Sequence, residues 1–201
     1  MGSICRMAGT YERLVNIVRI LFGLDMVING VNWWFKLVTP YPSISDFVDR
    51  PPPPDFVGAM IATGVIFHVV KGTELIAGLL LLANRFVPLA LIAAFPISVN
   101  VFLVDWFLAQ RLRAEVMGTG ALLMNAALIL AYLDYYRPLL KSRSIAESGG
   151  GTNSRLNIEC VENMFTRFIT QCRPVILLIA ALNGLTMIIW VLVMIAERQM
   201  H

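Results

Sequence analysis

The chain has 201 residues, of which 58% are hydrophobic and only 14% are charged, and its mean hydropathy is +0.72. Soluble globular domains carry roughly 25% charged residues, so this composition excludes an ordinary soluble domain and predicts an integral membrane protein. The net charge of +3 comes from loop arginines and lysines, which is typical of membrane topology rather than of nucleic-acid binding. Three cysteines without CxxC spacing and two isolated histidines predict neither a disulfide nor a metal site.

The apolar segments predict an all-α membrane protein, and the first two spans lie before residue 84. After a short polar lead, the first span covers residues 14–35, and the loop 37–55 follows it. Four consecutive prolines in that loop forbid a continuing helix, and Asp55 is placed to cap the next one. The second helix is predicted to begin with a shallow amphipathic turn at residues 56–62 and to span the membrane over residues 63–83.

Two further spans complete a predicted four-helix transmembrane bundle. After a tight turn at residues 84–85, the third span covers residues 86–108, and Pro96 in its middle predicts a kink. The fourth span covers residues 116–133 and closes with a tyrosine-rich belt at residues 132–136, which is typical of a membrane interface.

The remainder of the chain differs from this four-helix domain, residues 1–140. Residues 141–154 are a polar, glycine-rich linker, and residues 155–173 predict an amphipathic helix that lies on the membrane surface. Residues 174–201 hold an additional C-terminal transmembrane helix, residues 175–196, and a short tail. The distribution of Lys and Arg among the loops predicts a cytoplasmic N-terminus and a C-terminus outside.

Polar side chains inside the first two spans mark the candidate site. Helical periodicity predicts that six residues of the second span share one face, namely Gly64, His68, Lys71, Glu74, Leu75 and Gly78. A charged group near the centre of a span costs at least ~2.5–3.5 kcal/mol on insertion scales, so we expect this face to look into the bundle. A second polar stripe follows the first span through Asp25, Asn29, Asn32 and Lys36.

Matching the depths of the two spans predicts how these groups pair. If the spans run antiparallel, Asp25 and Lys71 both lie near the bilayer centre, whereas Arg19 and Glu74 lie closer to the cytoplasm. We therefore predict the ion pairs Asp25–Lys71 and Arg19–Glu74, in which the four charges cancel. The amides expected to complete the network by hydrogen bonding are Asn29, Asn32 and Asn100.

The buried polar network allows two interpretations. It can fix the register of the helices and do nothing else, or it can bind a ligand or handle protons, as intramembrane ionisable groups often do. A quinone headgroup offers carbonyl acceptors that Lys71, His68 or an asparagine could meet in an apolar pocket. A lone histidine such as His68 is, however, more often a satisfied core residue than a ligand-binding one.

Several motifs then point to a family. They are NGVN at residues 29–32, the proline run before the second helix, and the continuous block KGTELIAGLLLLANRFVPLA at residues 71–90. Through them, residues 12–140 resemble the DoxX-like family of small bacterial membrane proteins. The resemblance implies a four-helix bundle and, from some relatives, a link to quinone-dependent sulfur oxidation or to redox complexes that counter oxidative stress. Trp33 and Asp105 stand where many relatives have histidine.

These features predict a DoxX-like protein of the bacterial inner membrane. We expect a non-autonomous subunit of a quinone-linked or redox-protective system that binds a small apolar ligand at the Lys71/Glu74 face. The residues themselves make no cofactor evident, and a quinone is the one that this interpretation allows. The expected partners are the lipid bilayer and a membrane or cytoplasmic redox protein; homo-oligomers and enzymatic activity stay open. The alternatives are a non-catalytic membrane chaperone or scaffold and a proton-coupled transporter.

Overall fold

Every regular element of the protein is helical in the part of the chain that the computed structural model describes, residues 2–35, 56–109, 112–140, 171–189 and 192–193. In chain order the helices are α1 (Gly2–Phe35), α2 (Phe56–Ala62), α3 (Ile66–Leu82), α4 (Val87–Leu103), α5 (Leu112–Ala131), α6 (Leu133–Leu140) and α7 (Gln171–Ile189). A π-helical segment, Val104–Ala109, continues α4. The all-α prediction is confirmed for these residues.

In the described part of the chain, four helices are long and apolar enough to cross a membrane, namely Gly9–Phe35, Val87–Leu108, Ala114–Ala131 and Gln171–Ile189. The predicted multi-pass membrane character is therefore confirmed. α3 has 17 residues, which is slightly fewer than the roughly 20 that a perpendicular span requires. The total of five spans stays a prediction.

α1 is longer than the sequence analysis predicts. Residues 1–12 are expected as a polar lead, but the helix begins at Gly2 and continues unbroken to Phe35. The stretch contains no proline, and its exposed Glu12 and Arg13 belong to the residue types that favour helices. Polarity shows where an apolar span ends, but it does not end the helix itself.

The second predicted helix is divided as expected. The short α2 is followed by a turn at residues 63–65 and then by α3. The hydroxyl of Thr63 accepts a hydrogen bond of 3.2 Å from the N–H of Ile66, and Gly64 has a φ of 69°, a left-handed conformation that glycine adopts without steric cost. Gly64 thus lies in the turn, and its predicted place on the polar face of α3 is wrong.

α1 and α3 pack antiparallel through glycines. A Cβ atom added at Gly78 would lie 2.8 Å from the carbonyl oxygen of Gly23 and 2.8 Å from the backbone nitrogen of Val27. A Cβ atom at Gly30 would lie 2.8 Å from the Cβ of Leu75. Small residues let helix backbones approach this closely, so these glycines set the register of α1 against α3.

The remaining helices complete a bundle. α4 packs against α3 and α5, and α5 also packs against α1. The hydroxyl of Tyr136 on α6 donates a hydrogen bond of 2.8 Å to the carbonyl of Pro88 in the first turn of α4. The largest fully buried apolar side chains, which form the core where α1, α3, α4, α5 and α7 meet, are Phe22, Leu81, Leu91, Met124, Leu128 and Leu177.

Several predicted features lie outside the described residues. They are the loop 37–55 with its prolines and Asp55, the linker 141–154, and the proposed surface helix up to residue 170. The predicted kink at Pro96 falls inside α4, which continues as a helix on both sides of it.

Candidate functional site

The centre of the site is an ion pair on one face of α3. The ammonium of Lys71 donates to the carboxylate of Glu74 at 2.7 Å, and the two residues are only 8% and 2% exposed. Residues three apart on a helix lie on adjacent turns of one face, so the pair needs no other helix to form. The Lys71 nitrogen also lies 5.4 Å from the ring centroid of Phe67, a favourable cation–π position.

Arg19 does not pair with Glu74, and that prediction is wrong. Its guanidinium donates to the carbonyl of Leu81 and, at 3.4 Å, to the side-chain oxygen of Asn16. Leu81 belongs to the last turn of α3, where unsatisfied carbonyls carry the negative end of the helix dipole. The buried charge of Arg19 is thus stabilised by a helix terminus instead of a carboxylate.

The register of the helices explains this error. Arg19 lies opposite Leu81, and Gly23 lies opposite Gly78, so residues of α1 face positions on α3 that lie later in the chain than depth matching predicts. At ~1.5 Å per residue, the displacement is about one to two helical turns. Depth matching used the ends of the apolar segments, whereas the glycine contacts determine the actual register.

Asp25 is buried beside this ion pair without joining it directly. Asn29 donates a hydrogen bond of 2.9 Å to one carboxylate oxygen of Asp25, as predicted for that amide. The second oxygen, Oδ2, has no hydrogen-bond partner among the described residues. Asp25 interacts electrostatically with both Lys71 and Glu74, but the ammonium makes its short contact to Glu74, so the predicted direct Asp25–Lys71 pair is replaced by a longer-range interaction.

A third carboxylate, Asp105, lies within electrostatic range of Lys71 and is missing from the predicted network. It lies half-buried on the π-helical segment and interacts electrostatically with Lys71. A Cβ atom at Gly118 of α5 would lie only 2.8 Å from Asp105 Oδ2. Because glycine has no Cβ atom, the carboxylate fits against the backbone of α5 at this position. The sequence predicts only that Asp105 lies near the membrane–water interface. The contact with Gly118 shows that the carboxylate of Asp105 points toward α5.

Together, Lys71, Glu74, Asp25 and Asp105 form what we call the charge cluster. It contains three carboxylates and one ammonium, because Arg19 is bound elsewhere. Among the side chains that the structure describes, the charge cluster carries a net charge of −2 when all four groups are ionised, and Arg19 does not supply the predicted compensating charge to Glu74. An uncompensated charge in a low-dielectric interior is costly, which makes this imbalance the main electrostatic feature of the site.

The other predicted site residues occupy different places. Asn32 is buried on α1. His68 is exposed on α3, where its ring makes an edge contact of 5.3 Å with Trp33, and Asn100 is exposed and donates to the carbonyl of Pro96 one turn back at 2.8 Å. The side-chain amide of Asn100 thus bonds a carbonyl of its own helix, and the prediction that it joins the buried network is wrong.

A second buried polar contact joins α4 to α5. The side chains of Asn125 and Ser98, both fully buried, lie 3.1 Å apart. With its amide oxygen turned toward α4, Asn125 also accepts from the N–H of Phe95 at 3.1 Å and donates to the carbonyl of Leu91 at 3.3 Å. An asparagine within an apolar span is the signal that could have identified this contact.

A small cavity of about 20 Å³ lies beside Asp25 where α1, α5 and α7 meet. This volume is sufficient for about one water molecule. The lining includes Asp25, Asn29, Met117, Met124, Gly184 and Met187.

Comparison with known proteins gives no match: no family model, curated protein or solved structure resembles the chain significantly. Within the described ranges, no three His, Cys, Asp or Glu side chains are grouped so that they could hold a metal ion. Fold and site thus define a class, a multi-pass helical membrane protein with a buried cluster of ionisable groups. The resemblance to the DoxX-like family stays a prediction.

Proposed function

We propose that this chain is a DoxX-like protein of the bacterial cytoplasmic membrane whose charge cluster binds and releases protons. In this proposal α1, α3, α4, α5 and α7 all cross the membrane, with the N-terminus in the cytoplasm. The protein is a non-autonomous subunit that supplies proton exchange to a membrane redox system. The observation that carries the proposal is the excess of carboxylates over ammonium groups around Lys71.

The physical argument starts from the net charge. Moving an unbalanced charge of −2 into a low-dielectric bundle is costly, whereas protons bound by the carboxylates reduce that charge without rearranging a helix. Carboxylates buried in membrane bundles are the usual components of proton relays. Since Asp25, Glu74 and Asp105 all interact with Lys71, a proton gained by one of them changes the field at the others, and the cluster exchanges protons as a unit.

The size of the cavity favours a proton over a larger ligand at this place. Pockets for cofactor-sized molecules usually have volumes of about 300–1,000 Å³, but the cavity beside Asp25 has only about 20 Å³. A quinone headgroup is therefore not part of the proposed site. Quinone binding elsewhere on the protein, and the identity of the redox partner, stay predictions.

A scaffold or assembly chaperone is the second candidate. It is favoured by the direct backbone contact of Gly23 with Gly78 and by the completeness of the Lys71–Glu74 pair within α3. Both contacts stabilise a rigid bundle that needs no ligand. In this candidate the charge cluster keeps one protonation state throughout the physiological range.

Infrared difference spectroscopy of the full chain in lipid nanodiscs distinguishes the two candidates. If the cluster exchanges protons, the carbonyl stretch of protonated carboxylic acids changes with pH, and Asp25→Asn removes one component of that change. Glu12→Gln is the matched control, since Glu12 is an exposed carboxylate on the same helix. A spectrum whose buried carboxylic bands do not respond to pH would refute proton exchange and favour the scaffold.

A further inference from the structure

Three methionines line the small cavity beside Asp25. Met117 and Met124 belong to α5, where a spacing of seven residues puts them on one face, and Met187 belongs to α7. Met124 and Met187 are almost completely buried. The sulfur of Met124 lies beside another lining residue, because a Cβ atom at Gly184 would be 2.6 Å from it. Thioether side chains from two helices therefore border one small space.

The wall that α1 contributes to this cavity carries a buried carboxylate. Asp25 lines the cavity and is only 8% exposed. One of its oxygens accepts from Asn29, whereas Oδ2 has no hydrogen-bond partner among the described residues. The ammonium of Lys71 makes its short contact to Glu74 instead. Since a buried charge is costly unless it is paired, a cation in the cavity would stabilise Asp25.

The chemistry of the lining selects the class of cation. Thioether sulfur is a soft ligand that favours Cu⁺. Ca²⁺ takes roughly six to eight oxygen ligands, and Mg²⁺ keeps several of its waters. Among the described residues that line the cavity, however, only Asp25 and Asn29 carry oxygen in their side chains. A volume of about 20 Å³ has room for about one water molecule, so the space suits a single ion without a hydration shell.

We propose that this cavity binds one soft monovalent cation, Cu⁺, through the thioether sulfurs of Met117, Met124 and Met187, with the carboxylate of Asp25 as its counter-charge. The ion reduces the net negative charge of the charge cluster by one, which lowers the cost of burying that charge. It also bridges α5 and α7, so the C-terminal helix contributes a ligand that the four-helix domain lacks. The inference goes beyond the proposed proton exchange and needs only the negative charge of Asp25.

Titration with Cu⁺ under ascorbate, against a colorimetric Cu⁺ chelator, tests the site in the full chain in nanodiscs. Because thiols also bind Cu⁺, Cys5, Cys160 and Cys172 are first replaced by serine, or blocked with N-ethylmaleimide if the substitutions impair folding. We expect one bound equivalent, and Met187→Leu, which conserves volume, should weaken binding at least ~10-fold, as the loss of even an outer-shell partner does. Met26→Leu is the matched control, since Met26 is buried on α1 without lining the cavity. Equal affinities of the two variants would overturn the proposal.

A second measurement covers the case in which Met187→Leu fails to fold. X-ray absorption of Cu⁺ bound to the thiol-free protein should show sulfur neighbours, which only methionine can then supply. Neighbours that are all nitrogen or oxygen would overturn the site, and so would displacement of Cu⁺ by a large excess of Na⁺. Failure of the proposed function looks different, because the infrared response to pH is measured without Cu⁺ and its absence leaves the Cu⁺ affinity unchanged.

Discussion

Lys71 and Glu74 complete their ion pair within a single helix, 2.7 Å apart on adjacent turns of α3. The pair is therefore independent of how α1 is placed. Lys71→Met leaves the carboxylate of Glu74 buried without its donor, and removing one partner of a buried pair costs ~3–5 kcal/mol. We expect a correspondingly lower unfolding midpoint in detergent, and Lys71→Met/Glu74→Met should recover part of the loss. A double variant no more stable than Lys71→Met would contradict this account.

Exchanging charges distinguishes the observed partners from the predicted ones. We expect Lys71→Glu/Glu74→Lys to be more stable than either single substitution, since the two groups still face each other. Arg19→Glu/Glu74→Arg should be no better than its single variants, because Arg19 bonds the Leu81 carbonyl and not Glu74. Expression level and thermal midpoint of all six variants provide the measurement. Rescue by the Arg19/Glu74 exchange would show that these two residues do pair.

The glycines of α3 should respond oppositely to alanine. Gly78→Ala places a methyl group 2.8 Å from backbone atoms of α1, and overpacking of this kind costs about 1–3 kcal/mol. Gly72→Ala on the same helix meets nothing within 4 Å and should stabilise by up to ~1 kcal/mol, because alanine favours helices over glycine. Thermal unfolding of both variants in one detergent checks this, and equal midpoints would argue against the glycine-determined register.

The Asn125–Ser98 contact should contribute to the stability of the α4–α5 interface. Asn125→Ala leaves buried polar groups of α4 without their partner, which costs roughly 1–3 kcal/mol. Asn100→Ala is the matched control, since that exposed amide bonds only its own helix and its loss should change stability by less than ~0.5 kcal/mol. Chemical unfolding followed by circular dichroism measures both, and equal effects would contradict a bridging role for Asn125.

Because of the hydrogen bond from the Tyr136 hydroxyl to the carbonyl of Pro88, part of the stability of the fold should vary with pH in the alkaline range. Burial raises the pKa of Tyr136 from 10.0 to about 12, so the fold favours the neutral phenol. Its contribution is therefore complete below pH 10 and is lost as the pH rises toward 12. Tyr136→Phe should lower stability by ~0.5–1.5 kcal/mol at neutral pH, and the difference from wild type should shrink above pH 10. The exposed Tyr135→Phe serves as the control; a difference independent of pH would contradict the assignment.

The candidate site was only partly predictable. Lys71, Glu74 and Asp25 are recognisable because ionisable groups inside an apolar span must face the bundle interior. Asp105 gave no such signal, since it is distinguished only by Gly118, which lies opposite it on α5. A contact between residues on different helices leaves no periodicity in the sequence, so the membership of the charge cluster could not be complete.

The sequence by itself determined the membrane character of the chain, the division of the second helix at residues 63–65 and most of the helix positions. Hydropathy, proline and glycine act locally, and their effects can be read along the chain. Only the tertiary structure decided which charges meet. The register of α1 on α3 depends on backbone contacts at Gly23, Gly30 and Gly78, and a displacement of one to two turns moved Arg19 from Glu74 to the end of α3 and left three carboxylates around Lys71.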